Sequence, residues 1–255
     1  MIYSEVYNIQ LKDIEKEKYI KDRGILEIFE NVATHHSDIV GFGVNDIETT
    51  KTTWILMDWK VQVIKRPKYG EKLKVDTWVR TINGSRKKIY TYRDFEMYDE
   101  KNNLSVIGTS KWVLIDIKTG KITTIADEIF ERYKPENKSI FGEQELEKIK
   151  IPESYSDEIS YQVTRRDVDF NNHMHNLYYL DLAYNALPNE VYDKRPFDNF
   201  RICYKRETKL DDVLKCKYSF VDGEHIISIF NEDNSKLHSI IKIKETNYMN
   251  VNSLL

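Results

Sequence analysis

The sequence predicts an α+β chain of two tandem units, each a long helix wrapped by a curved antiparallel sheet, and three observations lead there. Runs of β-branched and aromatic residues are separated by tight-turn signals, as antiparallel strands require. Two stretches, one in each half, carry helical periodicity instead. The order strand, helix, four strands is then written twice, which points to a tandem duplication resting on element order.

Residues 1–10 alternate weakly and suit a first strand. In residues 24–42, Ile25, Ile28, Phe29 and Val32 fall at helical spacing, with Asp22 as the expected cap. Residues 53–66 form a strand that Pro67 and Gly70 bring to an end. Residues 73–82 follow, and Asn83-Gly84 is the strongest short hairpin signal in the chain. Residues 88–98 and 104–116 flank a polar turn, and Lys118 to Gly120 closes a further hairpin. Residues 127–133 suit a short helix. The highly charged run 143–150, between Pro135 and Pro152, reads as a surface linker.

The second half starts with a strand at 159–166 and a helix at 176–187 that Pro188 stops. Strands at 200–207, 213–221, 225–231 and 237–246 complete it, with Asp222-Gly223 as a hairpin turn. Leu214, Cys216, Tyr218 and Phe220 alternate with polar residues and define one face. The second helix is apolar nearly all round, as a helix wrapped by a sheet would be. A helix packed on one strongly curved antiparallel sheet is the hotdog arrangement. The expected layout is therefore hotdog units at 1–135 and 156–255, joined by a linker at 136–155.

Composition narrows the function classes. At 255 residues, with 40% hydrophobic and 32% charged residues, the chain can bury a sizeable core and is not a disordered protein. A net charge of −3 argues against a general nucleic-acid binder. No apolar run approaches the roughly 20 residues of a membrane span. The first residues show no basic segment followed by an apolar core, so a cytoplasmic protein is expected. Cys203 and Cys216 match no metal spacing and are expected as reduced thiols.

One segment concentrates the chemistry. Asp167, Asp169, Asn171, Asn172, His173, His175 and Asn176 precede the second helix, and nothing like them precedes the first. Asp and Asn favour helix starts, so this reads as a strand end, a polar turn and a helix N-terminus whose amides face developing negative charge. His173 is the base candidate, Asn171 an orienting amide and Asp169 a carboxylate beside them. Each has a plainer reading as a turn, cap or structural residue. His173 and His175 also have the spacing of a metal pair, but no second cluster supplies further ligands, and neither metal nor cofactor is expected. The adjacent His35 and His36 point different ways on the first helix and are read as surface or core residues.

The run RRDVDFNNHMHNLYYL resembles the RxDxDxNxHxNNxxY segment of acyl-acyl-carrier-protein thioesterases, the tandem hotdog enzymes that end fatty-acid synthesis. Tyr204-Lys205-Arg206-Glu207 resembles the family's YRRE segment downstream. The resemblance places Asp169, Asn171, His173 and Glu207 at the family's catalytic positions. It implies that His173 and Glu207 flank the attacking water, that Asn171 holds the water or the carbonyl, and that Asp169 orients His173 or its loop. Asn176, Trp54, Arg166 and Arg206 are the implied substrate-binding residues. Arg165 and Lys205 add positive charge for an acidic acyl carrier protein bearing a phosphopantetheine-linked acyl chain. Leu56 and Trp59 are further candidates for the acyl tunnel, with ordinary core as the plainer reading.

There are two departures. Thr208 stands where plant members carry Cys after the acidic residue, which removes a Cys-His-Asn mechanism and is read as structural. His175 replaces the first Asn of the NN pair. A monomer or a homodimer is compatible with the layout. The rival functions are a coenzyme A thioesterase of the same fold and a non-catalytic acyl-binding sensor.

Overall fold

The computed structural model describes residues 1–81, 89–142 and 145–244. Two compact units divide the chain, Met1–Glu147 and Lys148–Leu255. In the first, β1 (Tyr3–Asn8) leads to helix α1 (Asp22–Ile39), the short helix α2 (Ile47–Thr50), and strands β2 (Thr52–Val63), β3 (Lys72–Val79), β4 (Thr91–Tyr98), β5 (Leu104–Asp116) and β6 (Lys121–Thr123). Helix α3 (Asp127–Arg132) follows. In the second, β7 (Asp157–Gln162) precedes α4 (Tyr178–Asn185) and α5 (Asn189–Tyr192). Strands β8 (Asn199–Tyr204), β9 (Val213–Val221), β10 (Glu224–Asn231) and β11 (Leu237–Lys244) complete it. The protein is thus α+β, with antiparallel sheet and few helices.

Pairing within the first unit runs β1-β3-β4-β5-β2, all antiparallel, with β6 on β5. Pairing within the second runs β7-β9-β10-β11-β8, again antiparallel. Each unit therefore pairs its first strand with its third and its fifth with its second. The helix between strands one and two makes that order possible, because a tight hairpin would force them to be neighbours. Asp222 and Gly223 sit at φ 53 and 77, as a two-residue hairpin with both central residues left-handed requires. Asn83-Gly84 lies outside the described residues.

Helix α1 buries Ile25, Leu26, Ile28, Phe29, Val32, Ala33 and His36 along one stripe. Phe29 stacks on Phe95 of β4 at 4.6 Å between centroids and on Trp59 of β2 at 6.2 Å. Gly108 of β5 permits this approach, since a Cβ there would lie 2.7 Å from the Phe29 ring. Trp59 and Leu56 are core residues of this packing. The helix ends where Gly41, at φ 79, lets the Phe42 N–H reach the Ser37 carbonyl (2.9 Å) and the Gly41 N–H reach Asp38 (3.1 Å). That glycine stops the helix before the expected Phe42.

The expected cap is also corrected. Lys21 holds that position, and Asp22 is buried in the first turn with its carboxylate 2.7 Å from Arg66 Nη1. A buried guanidinium outcompeted the helix end for that side chain. In β9, Leu214, Cys216 and Tyr218 are buried as the alternation predicts, whereas Phe220 is exposed and rests 4.9 Å from His225. Residues 136–142, read as part of a linker, are strapped onto the first unit. The Glu136 N–H reaches the Val79 carbonyl, Trp78 Nε1–H reaches the Lys138 carbonyl, and the Ile140 N–H reaches Asp94, each at 2.9 to 3.0 Å. Among the described residues, no helix is long and apolar enough to cross a membrane.

His35 and His36 part company as their adjacent helical positions require. His35 is exposed and lies 2.8 Å from Glu5, while His36 is fully buried. Arg93 Nη1 donates to His36 Nδ1 at 2.9 Å, so the neutral ring carries its proton on Nε2. Burial, with the Arg93 guanidinium beside it, pulls the His36 pKa down from 6.5 to about 3. The unfolded chain therefore binds a proton that the folded chain refuses. The contribution of His36 to stability is intact above pH 6.5 and is lost as pH falls toward 3. The parent should lose up to about 1.4 kcal/mol per pH unit more than His36→Asn, which keeps an acceptor for Arg93. Urea midpoints measured from pH 7 down to pH 4 check this, and parallel pH slopes would refute it.

Candidate active site

The polar segment after β7 folds by bonding to itself. Asp167 is buried, and its Oδ2 accepts from Tyr161 Oη at 2.6 Å and from the Thr164 N–H and Oγ1 at 2.8 Å each. Burial alone would raise its pKa, but these bonds hold the carboxyl below its ordinary value. The Asp167 carbonyl accepts the His175 N–H at 2.8 Å, and the Asp169 N–H donates to the His173 carbonyl at 2.9 Å. These two bonds zip residues 167–175 into a tight loop. At its tip, Asp169 Oδ1 accepts the N–H groups of Asn171 (2.8 Å) and His173 (3.3 Å), and Asn172 takes φ 60, which Asn tolerates. Asp169 thus orients the loop backbone rather than the imidazole.

The loop is tied to the segment after β8. The Met174 N–H donates to the Thr208 carbonyl at 2.9 Å, and His173 and Glu207 each stand one residue before that bond. His173 Nε2 consequently lies 3.3 Å from Glu207 Oε2, with the side chains 29% and 62% exposed. Thr208 is fully buried, and its Oγ1 lies 2.7 Å from Tyr179 Oη on α4. Burial pushes the Tyr179 phenol up to about 12, so it stays a neutral hydroxyl. On the other side of Glu207, the buried His238 of β11 donates from Nδ1 to the Glu207 carbonyl at 3.1 Å. Its pKa is lowered, chiefly by burial.

Helix α4 starts two residues later than the sequence suggests and has no side-chain cap. Its first amides are also already engaged, which corrects the expectation of a free cluster of donors. Tyr178, Tyr179 and Leu180 donate to the carbonyls of His175, Asn176 and Leu177 at 3.0 to 3.3 Å, and the Leu177 N–H donates to His175 Nδ1 at 3.4 Å. The Asp167 and Asp169 side chains are used in the loop, and the turn closes on its own carbonyls. Among the described residues, the Asn176 N–H is the one backbone donor between His173 and Leu180 with no acceptor.

The other candidates are placed as follows. The Asn171 side chain is exposed. Asn176 is half-buried, and its carbonyl accepts from Tyr204 Oη at 3.0 Å. Arg165, Arg166, Lys205 and Arg206 are all exposed, with Arg166 Nε 3.6 Å from Asp167. Trp54 is half-buried in the first unit, edge-on to Tyr133 and packed with Val79, Leu114, Ile125 and Phe130. Cys203 and Cys216 are free and buried, and burial pushes the Cys216 thiol up to about 12, far from a nucleophile. Sequence reasoning assigned no role to Asp167, Tyr179 or His238. Tyr179 was hidden in an apolar helix, and His238 is a single histidine in an alternating strand.

Comparison with known sequences gives the class of protein to which this fold belongs. The family model of the acyl-ACP thioesterase N-terminal domain matches residues 1–133, and that of the C-terminal domain matches residues 150–253. The chain belongs to the acyl-ACP thioesterase family. Among individual relatives, it is 24% identical over 229 residues to oleoyl-acyl carrier protein thioesterase 1, chloroplastic, of Arabidopsis thaliana, covering 83% of this chain and 62% of the relative. It is 24% identical over 230 residues to dodecanoyl-[acyl-carrier-protein] hydrolase, chloroplastic, of Umbellularia californica, covering 84% and 58%. The chain thus spans about three fifths of the length of these relatives. The same fold occurs in an acyl-ACP thioesterase from Bacteroides thetaiotaomicron, at TM-score 0.84 and 19% identity over 95% of this chain and 97% of that one. It occurs also in the 12:0-ACP thioesterase from Umbellularia californica, at TM-score 0.80 and 17% identity over 95% and 96%.

The buried clamp at Thr208 makes a stability prediction. Thr208→Val leaves the Tyr179 hydroxyl only its long contact with the Arg206 carbonyl (3.5 Å) and should cost about 1–3 kcal/mol, read as a lower urea midpoint. Adding Tyr179→Phe removes the poorly satisfied hydroxyl and should recover part of that loss. A single variant as stable as the parent would show that the contact contributes nothing.

Proposed function

We propose that this chain hydrolyses the thioester between a fatty acyl chain and the phosphopantetheine of an acyl carrier protein, on a scaffold of two tandem hotdog units. The observation that carries this is the 3.3 Å approach of His173 to Glu207 in a member of the acyl-ACP thioesterase family. The relatives named for oleoyl- and dodecanoyl-carrier-protein substrates support the substrate class. The strand order repeated in each unit supports the hotdog scaffold. The proposed hotdog limits are 1–135 and 156–255, connected through 136–155.

A water between His173 and Glu207 loses a proton to the pair as its oxygen bonds to the thioester carbonyl carbon. The oxyanion is met by the Asn176 N–H, the donor left without an acceptor in the loop, with Asn171 oriented toward the water or carbonyl. Collapse breaks the carbon–sulfur bond, and the proton held by the pair goes to the departing thiolate. The products are the free fatty acid and the carrier's phosphopantetheine thiol. Thr208 is buried and bonded to Tyr179, so it is no nucleophile. Arg165, Arg166, Lys205 and Arg206, all exposed, steer the acidic carrier. Trp54 is assigned to acyl-chain contact within the first unit.

Matched acyl-carrier-protein and acyl-coenzyme-A esters from medium to long chains test the reading. Turnover should favour the carrier protein, and His173→Ala or Glu207→Ala should lower kcat roughly 10²–10⁴-fold with the far-ultraviolet circular dichroism unchanged. Near-parent turnover in both variants would discard the mechanism. Faster turnover of coenzyme A esters would reassign the carrier, and binding without turnover would make the chain an acyl sensor.

A further inference from the structure

We propose that His238 is a positioning residue for Glu207, a role that rests on the reading of His173 and Glu207 as the reacting pair. Glu207 sits on irregular chain just beyond β8, where sheet pairing no longer holds it. Among the described residues, its carboxylate contacts only His173. What fixes its position is therefore backbone on either side. On the C-terminal side that anchor is Thr208, held by Tyr179 and Met174. On the N-terminal side it is His238, with Tyr179 Oη at 3.5 Å from the Arg206 carbonyl beside it.

His238 binds this segment twice. Its carbonyl accepts the N–H groups of Lys205 (2.8 Å) and Arg206 (3.2 Å). Its ring Nδ1 reaches the carbonyls of Glu207 (3.1 Å) and Arg206 (3.4 Å). Carbonyls only accept, so Nδ1 must carry the proton, and the ring tautomer is set. The two backbone bonds survive any side chain at this position. The ring bonds do not, and among the described residues the one at 3.1 Å is the hydrogen bond that the Glu207 carbonyl accepts. Removing them frees the peptide that carries the carboxylate while leaving the pairing of β8 and β11 in place. Small displacements of a reacting group are expensive in rate and cheap in stability, which separates positioning from simple support.

The test compares three substitutions by carrier-protein hydrolysis. His238→Asn puts an amide N–H where Nδ1 stands, His238→Gln puts it where Nε2 stands, and His238→Phe removes it. Asn should keep kcat within about threefold of the parent, while Gln and Phe should lower it about tenfold to a hundredfold with KM little changed. The deciding readout is a double-mutant cycle. In a Glu207→Gln background, His238→Phe should have little further effect on kcat, because the group it positions is already gone.

Equal turnover in Asn and Gln variants would overturn the inference, and that comparison holds even if the Phe variant fails to fold. Full additivity with Glu207→Gln would overturn it as well. A parent without hydrolysis overturns this inference together with the proposed function. An active parent that Glu207→Gln leaves unchanged removes the role of Glu207, and that of His238 with it.

Discussion

The site of the second unit depends on one backbone bond, from the Met174 N–H to the Thr208 carbonyl. It joins a loop before a helix to the end of a strand far along the chain. Because side chains follow their backbone, it sets the distance between residues one step earlier on each segment. His173 and Glu207 meet there without any direct anchor on their own side chains. The bond is itself held in register by a buried hydroxyl pair, Thr208 with Tyr179. Helix α4, the loop and the strand end are thereby fastened at one point.

The polar residues around this point divide into those that shape the loop and those proposed to react. Asp169 is a candidate in the sequence and Asp167 is not, yet both are taken up by N–H and O–H donors of their own loop. A carboxylate satisfied by several donors is a good builder and a poor base, since its acceptor capacity is spent. The same accounting applies to the helix start. With the Asp167 and Asp169 side chains committed to the loop, the first amides of α4 turn to nearby carbonyls, leaving, among the described residues, the Asn176 N–H as the exception. As the proposed oxyanion donor, a single N–H is a narrower device than a whole helix terminus, but its backbone is fixed before any substrate arrives.

Much of the fold was legible because strands and hairpins write themselves locally. The Asp222-Gly223 turn, the burial of Leu214, Cys216 and Tyr218, and the order of strands and helices follow from period and turn chemistry. What local pattern cannot carry is competition from elsewhere in the chain. Asp22 had the chemistry of a cap and was drawn to Arg66 instead, while Phe220 kept its alternation but found no core above it. The site divides in the same way. His173 and Glu207 stood out through two short motifs, and their closeness depends on a contact that neither motif encodes. His238 gave no signal at all, because its role is defined by which carbonyls pass in front of its ring.

The exposure of His173 and Glu207 agrees with the chemistry proposed for them. Burying His173 and Glu207 would desolvate a base and a carboxylate, at a cost that pairing does not reliably recover. Leaving them wet avoids that cost but surrenders positional control, since surface ion pairs hold geometry weakly. The second unit separates the two demands. The groups proposed to move protons reach toward water, and the groups that fix their backbone are dry. Thr208 and Tyr179 stay neutral, and His238 uses its Nδ1–H as a donor. In the proposed site, positional precision is thus supplied by buried hydrogen-bonding groups behind the exposed pair.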